Sequence, residues 1–339
     1  MLPLPVDYTQ LKFAIDWLNQ LECQMLIIPF MKTSEQKAIR RRQAGENIWF
    51  ESTAAGELPI SPVGAFSYSV VEDEQTVGQR MLDELIDYSK TVEKDIVIVL
   101  LGGRGAQAMY KIIAELAKTD AIDGLLGRLH VFTQDALAPM SAGNGLSFVR
   151  DFERLLGDDF FRKIKSFTSM QTTGGNMESD LVSYLEKIES LGGIDIFFLG
   201  LGPEADAASH LCYIKPNSGA RFNDLAGMIP ISESILEHHI SKFKAGGSAI
   251  SETDETECRN ATHILTLGPA MILGAKKIVQ SIVDASTAPA KCESFRRLLN
   301  TQFSANESER ERQLDENPGL WIRLHPNVAS FVLPDLIGV

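Results

Sequence analysis

Cysteine is scarce and unpatterned in this chain. The four present, Cys23, Cys212, Cys258 and Cys292, stand far apart and form no Cys-x-x-Cys pair. That excludes zinc ribbon and finger patterns and fits reduced thiols in a cytoplasm. Long apolar runs are also missing. The longest, such as Ile96 to Leu101, are far too short to span a bilayer. The start, Met-Leu-Pro-Leu-Pro-Val-Asp-Tyr, has no basic region leading into an apolar stretch and does not read as a signal peptide. Positive charge is in deficit as well: 32 Lys and Arg face 45 Asp and Glu, a net charge of −13. No nucleic-acid partner and no membrane surface is therefore expected, because both demand clustered basic residues. Arg40-Arg41-Arg42 is the one dense basic run, and it reads as the solvated face of a charged helix. No internal repeat is found.

What is present is alternation of strand and helix patterns. Leu11, Ile15, Leu18 and Leu21 predict an amphipathic helix over 7–22, followed by a strand from Met25 to Phe30. The pattern weakens from Lys32 to Pro62, a stretch read as a connection. From residue 66 it sharpens. Phe66 to Val71 alternates as a strand, and Val77, Met81, Leu85 and Tyr88 form one helical stripe. Asp95 to Leu101 is a continuous run of the kind buried on both faces of a parallel sheet. Further strands are expected at 128–133, 194–199, 262–267, 277–283 and 328–333. Helices are expected at 106–118, 148–161, 179–190, 271–277 and 291–301, with Gly192-Gly193 ending the third. This order predicts an α/β fold with a mostly parallel, Rossmann-like sheet flanked by helices. The expected organisation is an N-terminal appendage and linker over 1–62 and one α/β domain over 63–339.

Ligands of open parallel sheets bind beyond the carboxyl ends of the strands, and three strand ends stand out. Gly102-Gly103-Arg104-Gly105 turns directly into a helix. Backbone N–H groups there suit a phosphate, and Arg104 adds a cation; the alternative is a tight turn that needs glycine only for steric reasons. The turn is neither Gly-x-Gly-x-x-Gly nor a P-loop, so no nucleotide cofactor is expected. Asp135 closes Phe132-Thr133-Gln134-Asp135 and is a candidate general base, or else an Asx turn or helix cap. In the third, Gly200-Leu201-Gly202-Pro203 breaks a strand, and Glu204, Asp206 and His210 follow. Two acids and an imidazole can divide acid and base roles; the alternative is a polar loop. Their spacing matches no standard metal motif, so no metal is expected.

The segment Glu186 to Pro203, ending Phe-Leu-Gly-Leu-Gly-Pro, resembles the glucosamine-6-phosphate deaminase/isomerase and 6-phosphogluconolactonase superfamily. The strand–Gly-Gly–helix unit at 95–117, Leu129 to Asp135, Thr262 to Gly268 and Leu324-His-Pro-Asn-Val328 follow in the family's order. The resemblance covers about residues 66–339. It implies a sugar-phosphate pocket at the strand ends, with Gly102, Gly103, Arg104, Gly105 and Gly202 lining it. It also implies that Asp135, Glu204, Asp206 and His210 carry the chemistry. The family's Ser-Thr-Pro reads Arg104-Gly105-Ala106, its Asp-Glu reads Asp135-Ala136, and its Asp-Gly-His reads Glu204-Ala205-Asp206. Its late Gly-x-x-Lys-Ala reads Asp284-Ala-Ser-Thr287-Ala, with Lys291 nearby but out of register.

Three functions follow as expectations. The first is isomerisation or deamination of a phosphorylated sugar. The second is hydrolysis of a 6-phosphogluconolactone-like substrate, and the third is a non-catalytic sugar-phosphate sensor or scaffold. A homo-oligomer contact on one apolar helix face stays open. His238-His239 read as surface histidines, since neighbours on a helix diverge by about 100°. His263 is expected in the core or at a sheet edge and His325 in a structural role. Asp254 to Glu257 reads as a solvated loop.

Overall fold

The computed structural model describes residues 39–54, 66–203 and 209–338. The expected helix over 7–22, the strand from Met25 to Phe30, and the candidate acids Glu204 and Asp206 lie outside the described residues.

The described chain opens on a hairpin, β1 (Ile39–Ala44) and β2 (Asn47–Ser52). A short β3 (Ser69–Val70) precedes the helix Glu74–Thr91, whose first turn is capped by the Asp73 carboxylate accepting from Thr76 N–H at 2.7 Å. There follow β4 (Ile96–Leu100), the helix Gln107–Ala117, β5 (Leu129–Thr133) and β6 (Asp135–Ala138). The helix Phe148–Lys163, β7 (Ser166–Thr168), the helix Met177–Ser190 and β8 (Ile196–Leu199) come next. Two-residue strands β9 (Gly202–Pro203) and β10 (Ser209–His210) precede β11 (Asp224–Pro230) and the helices Glu233–Ala245 and Glu252–Arg259. The chain then runs through β12 (His263–Leu267), β13 (Lys277–Ile282), the helices Ala290–Asn300 and Glu307–Glu316, and β14 (Val328–Val332).

Seven strands form one sheet in the order β3-β14-β13-β8-β4-β5-β7, and every pairing in it is parallel. All five residues of β4 are buried, as its unbroken Ile-Val-Ile-Val-Leu run predicts for a strand covered on both faces. Val97 and Val99 point into one core with Phe132, Phe197 and Leu185. Ile96, Ile98 and Leu100 point into the other with Met81, Met109 and Phe152. Strand order reverses between β4 and β8, which opens a crevice at their carboxyl ends.

A second sheet, β1-β2-β11-β12-β6, is antiparallel throughout. The chain leaves the parallel sheet at Thr133 and enters this one at Asp135, so a single residue, Gln134, joins the two. The hairpin β1–β2 lies before residue 62, yet it is built into this sheet through β11, and Trp49 is fully buried. The run Arg40-Arg41-Arg42 is therefore a strand and not a helix face. Arg40 and Arg42 bind Glu51, and Arg42 also binds the buried Asp224. Asp254 to Glu257 belongs to the helix Glu252–Arg259 and not to a loop, because Ser251 and Asp254 close a capping box. His325 is structural as expected: its Nε2 meets the Ala275 carbonyl at 2.8 Å and its Nδ1 accepts from Asn327 N–H at 3.0 Å. No helix among the described residues is long and apolar enough to cross a membrane.

Candidate active site

The ends of β4, β5, β8 and β13 surround one cleft, open at its mouth. It brings together Gly102, Gly103, Arg104, Gly105, Asp135, Gly202 and His210, all singled out in the sequence. Gly103 has φ 74° and ψ −160°, a conformation open to glycine and few other residues. It lets the backbone turn from β4 into the short 3₁₀ turn Arg104–Ala106 and the following helix. The Arg104 guanidinium closes on Glu74, with Nη2 to Oε1 at 2.7 Å and Nε to Oε2 at 3.3 Å. Its fork thus already grips a carboxylate.

Asp135 sits at the junction of the two sheets and is 1% exposed. It caps no helix. Its backbone is the first rung of β6, paired with Thr266, and among the described residues neither carboxyl oxygen makes a well-formed hydrogen bond. Burial raises its pKa from 3.8 to about 8, with the neighbouring Gln134 side chain opposing the rise. The folded protein therefore holds this acid protonated at neutral pH.

His210 stands across the β9–β10 hairpin from Gly202. A side chain at Gly202 would place its Cβ 2.0 Å from His210 Cε1, so only glycine leaves room for the ring. Tyr213 N–H donates to His210 Nδ1 at 3.1 Å, and the two rings stack at 4.3 Å. The proton of the neutral ring is accordingly on Nε2. Burial is the main cause that pushes the His210 pKa down to about 3, with His238 and nearby lysines adding to it. This imidazole is a neutral N–H donor at physiological pH. The turn that carries it is unusual. Cys212 and Tyr213 have φ of 48° and 56°, and Leu211 and Ile214 close the bridge around them. Both central residues are left-handed, the geometry of a two-residue hairpin turn that ordinarily uses Asn or Gly.

Lys242 lines the cleft without having been singled out by sequence, and Asp284, Lys291, His238 and His239 line it although sequence reasoning did not place them in the site. Asp284 follows β13, and its carboxylate lies between two lysines. Lys242 Nζ is 3.0 Å from Oδ2, and Lys291 Nζ bonds Oδ1 and the Val283 carbonyl. Lys242 also donates to Thr287 Oγ1 at 3.0 Å, so cationic charge reaches Thr287 from a different helix. Arg104 is thus accompanied by two further cations. His238 lines the cleft one helical turn before Lys242, and His239 is 3% exposed. The surface placement expected for this pair is corrected: the helix Glu233–Ala245 packs His239 between Phe148 and Phe243, with Nε2 2.7 Å from the Leu146 carbonyl. Desolvation is the main cause that lowers both histidines to a pKa of about 4. The His238–Lys242 spacing of i, i+4 is the signal that places both on one face. Among the described residues, no group of three or more His, Cys, Asp or Glu could hold a metal ion.

A glycine turn, a buried acid and a set of cations gather at the switch point of an all-parallel sheet, which defines a Rossmann-like α/β protein with its cleft at the strand ends. The comparisons agree. The chain is 30% identical over 161 residues to a glucosamine-6-phosphate deaminase of Malacoplasma penetrans, a match covering 46% of this chain and 58% of that one. It is 22% identical over 240 residues to the glucosamine-6-phosphate deaminase of Dictyostelium discoideum, covering 68% and 80%. Among solved structures, a monomeric glucosamine-6-phosphate deaminase superposes with TM-score 0.60 at 19% identity over 80% of this chain and 99% of that one. A 6-phosphogluconolactonase from Trypanosoma cruzi superposes with TM-score 0.58 at 13% identity, over 81% and 98%. No protein-family model matches. The chain is thus similar in sequence to glucosamine-6-phosphate deaminases, spanning little more than half the length of the first of them, and it shares its fold with the monomeric deaminase and with 6-phosphogluconolactonases.

Proposed function

We propose that this protein is an enzyme acting on a phosphorylated sugar, and that its reaction is aldose–ketose isomerisation, with or without deamination. The observation that carries this reading is Asp135, a buried carboxyl that faces the cleft and makes no well-formed hydrogen bond among the described residues. Such a group has no stabilising role and is suited to proton transfer. Asp135 takes the proton from one sugar carbon and returns it to the next. In the empty site the acid is protonated, so a base form requires alkaline pH or a cation beside it. An ammonium group on an amino sugar supplies that cation and draws the carboxyl back toward ionisation. His210 donates through Nε2 to a sugar oxygen on which charge develops, a role a neutral imidazole can fill. Glu204 and Asp206, between β9 and β10 in the chain, are proposed to assist ring opening or to activate water. Lys242, Lys291 and the Gly102–Gly105 turn are proposed to hold the phosphate.

Assay of the purified chain on hexosamine 6-phosphates and on 6-phosphogluconolactone tests the reading. Turnover of a hexosamine phosphate with loss of that turnover in Asp135→Asn supports it. Lactone hydrolysis alone replaces isomerisation with hydrolysis. Stabilisation by both ligands without turnover of either would make the chain a sugar-phosphate binder.

A further inference from the structure

The cations of the cleft are not free to meet a ligand. Arg104 is held by Glu74. Lys242 and Lys291, from two different helices, converge on one carboxylate, Asp284. Lys291 is 7% exposed and Asp284 6%. Two ammonium groups and one carboxylate leave a single net positive charge there. Asp284 holds this position in a left-handed conformation, φ 56° and ψ 31°, which non-glycine residues seldom adopt. Burial works against its charge, but Lys291 and Lys242 outweigh burial and keep it below the usual carboxylate range. Its field also reaches Arg104.

We propose that Asp284 is a resident counter-anion, seated where Lys242 and Lys291 would receive the phosphate, and that it sets the affinity of this cleft for phosphorylated ligands. In the empty protein it keeps the buried Lys291 paired, and an unpaired charge at that depth is strongly destabilising. When a phosphate monoester arrives, its oxygens must share or displace this carboxylate, and the two anions repel one another at close range. Binding is therefore an exchange of one anion for another, and a weakly charged ligand gains nothing at this seat. The inference rests on the sugar-phosphate reading of the cleft.

The test measures binding of inorganic phosphate, a hexosamine 6-phosphate and the unphosphorylated hexosamine by calorimetry, in the wild-type chain, Asp284→Asn, Asp284→Gly and Lys242→Met. Both Asp284 substitutes tolerate the left-handed backbone. Phosphate and the sugar phosphate are expected to bind Asp284→Gly and Asp284→Asn at least tenfold tighter than wild type, with the unphosphorylated sugar unchanged. If these variants fold poorly alone, added phosphate should raise their melting temperature more than that of wild type. Equal or weaker phosphate binding, or an equal or smaller thermal shift, overturns the proposal. Lys242→Met separates the two readings. If it weakens phosphate binding tenfold while the Asp284 variants show no gain, the phosphate seat stands and the counter-anion role falls. If Lys242→Met leaves phosphate binding unchanged, the seat itself is misplaced and the proposal falls with it.

Discussion

Asp135→Asn should abolish turnover and stabilise the fold in the same step. The folded protein holds this carboxyl at a pKa of about 8, against 3.8 for a free side chain, because burial strips its water and the Gln134 side chain only partly opposes that effect. Below pH 3.8 both the folded and the unfolded chain carry the proton, and the residue costs nothing. As pH rises the unfolded chain loses its proton while the folded one keeps it, so stability falls until about pH 8 and then levels off. At pH 7 the gap is about three pKa units, or roughly 4 kcal/mol at 1.36 kcal/mol per unit. An asparagine removes this linkage but adds an unpaired N–H. The expected net gain is roughly 2–4 kcal/mol at pH 7, fading toward pH 4. Urea unfolding of both proteins at pH 4, 6 and 8 measures the difference. Turnover of the variant should fall by a factor of roughly 100 to 10,000 if Asp135 is the proton-transferring group. A variant less stable than wild type at pH 8, or a stability difference that does not change with pH, would refute the burial argument. Retained turnover would refute the catalytic one.

Three further outcomes are expected. Trp49→Ala should cost about 3–5 kcal/mol in denaturant unfolding, because Trp49 is fully buried and donates to the Ser218 carbonyl at 3.1 Å; a loss below about 1 kcal/mol would mean that the β1–β2 hairpin is peripheral to the fold. Gly202→Ala drives a methyl into the His210 ring, so turnover should drop at least tenfold with the circular dichroism spectrum retained, and unchanged kinetics would show that His210 has no part in the reaction. Arg104→Ala removes a half-exposed pair with Glu74 and should shift stability by less than about 1 kcal/mol; it should weaken binding of a sugar phosphate but not of the unphosphorylated sugar, and equal effects on both would remove Arg104 from the phosphate site.

The sequence by itself determined the parallel sheet, because its signals are local. Ile96–Leu100 is apolar at every position since both its faces are covered. The helix Glu74–Thr91 carries its own cap in Asp73 and its own stripe in Val77, Met81 and Leu85. Gly192 and Gly193 take positive φ where the helix Met177–Ser190 ends. The glycine turn, Asp135 and Gly202 were legible for a related reason: residues that end buried strands must lie at the rim of the sheet, where ligands bind.

Only the tertiary structure decided the rest, because there the deciding partner is far away in the chain. Ile-Arg-Arg-Arg-Gln-Ala becomes a strand once Arg42 finds Asp224, 182 residues on. Asp135 loses its water because β5 hands the chain to a second sheet one residue earlier, and nothing around position 135 in the sequence announces that burial. Lys242 and Lys291 stand 49 positions apart in the chain and become one cationic seat only through Asp284. Patterning records which face of an element is apolar. The charge that reaches a cleft from a distant helix is set by how the elements pack.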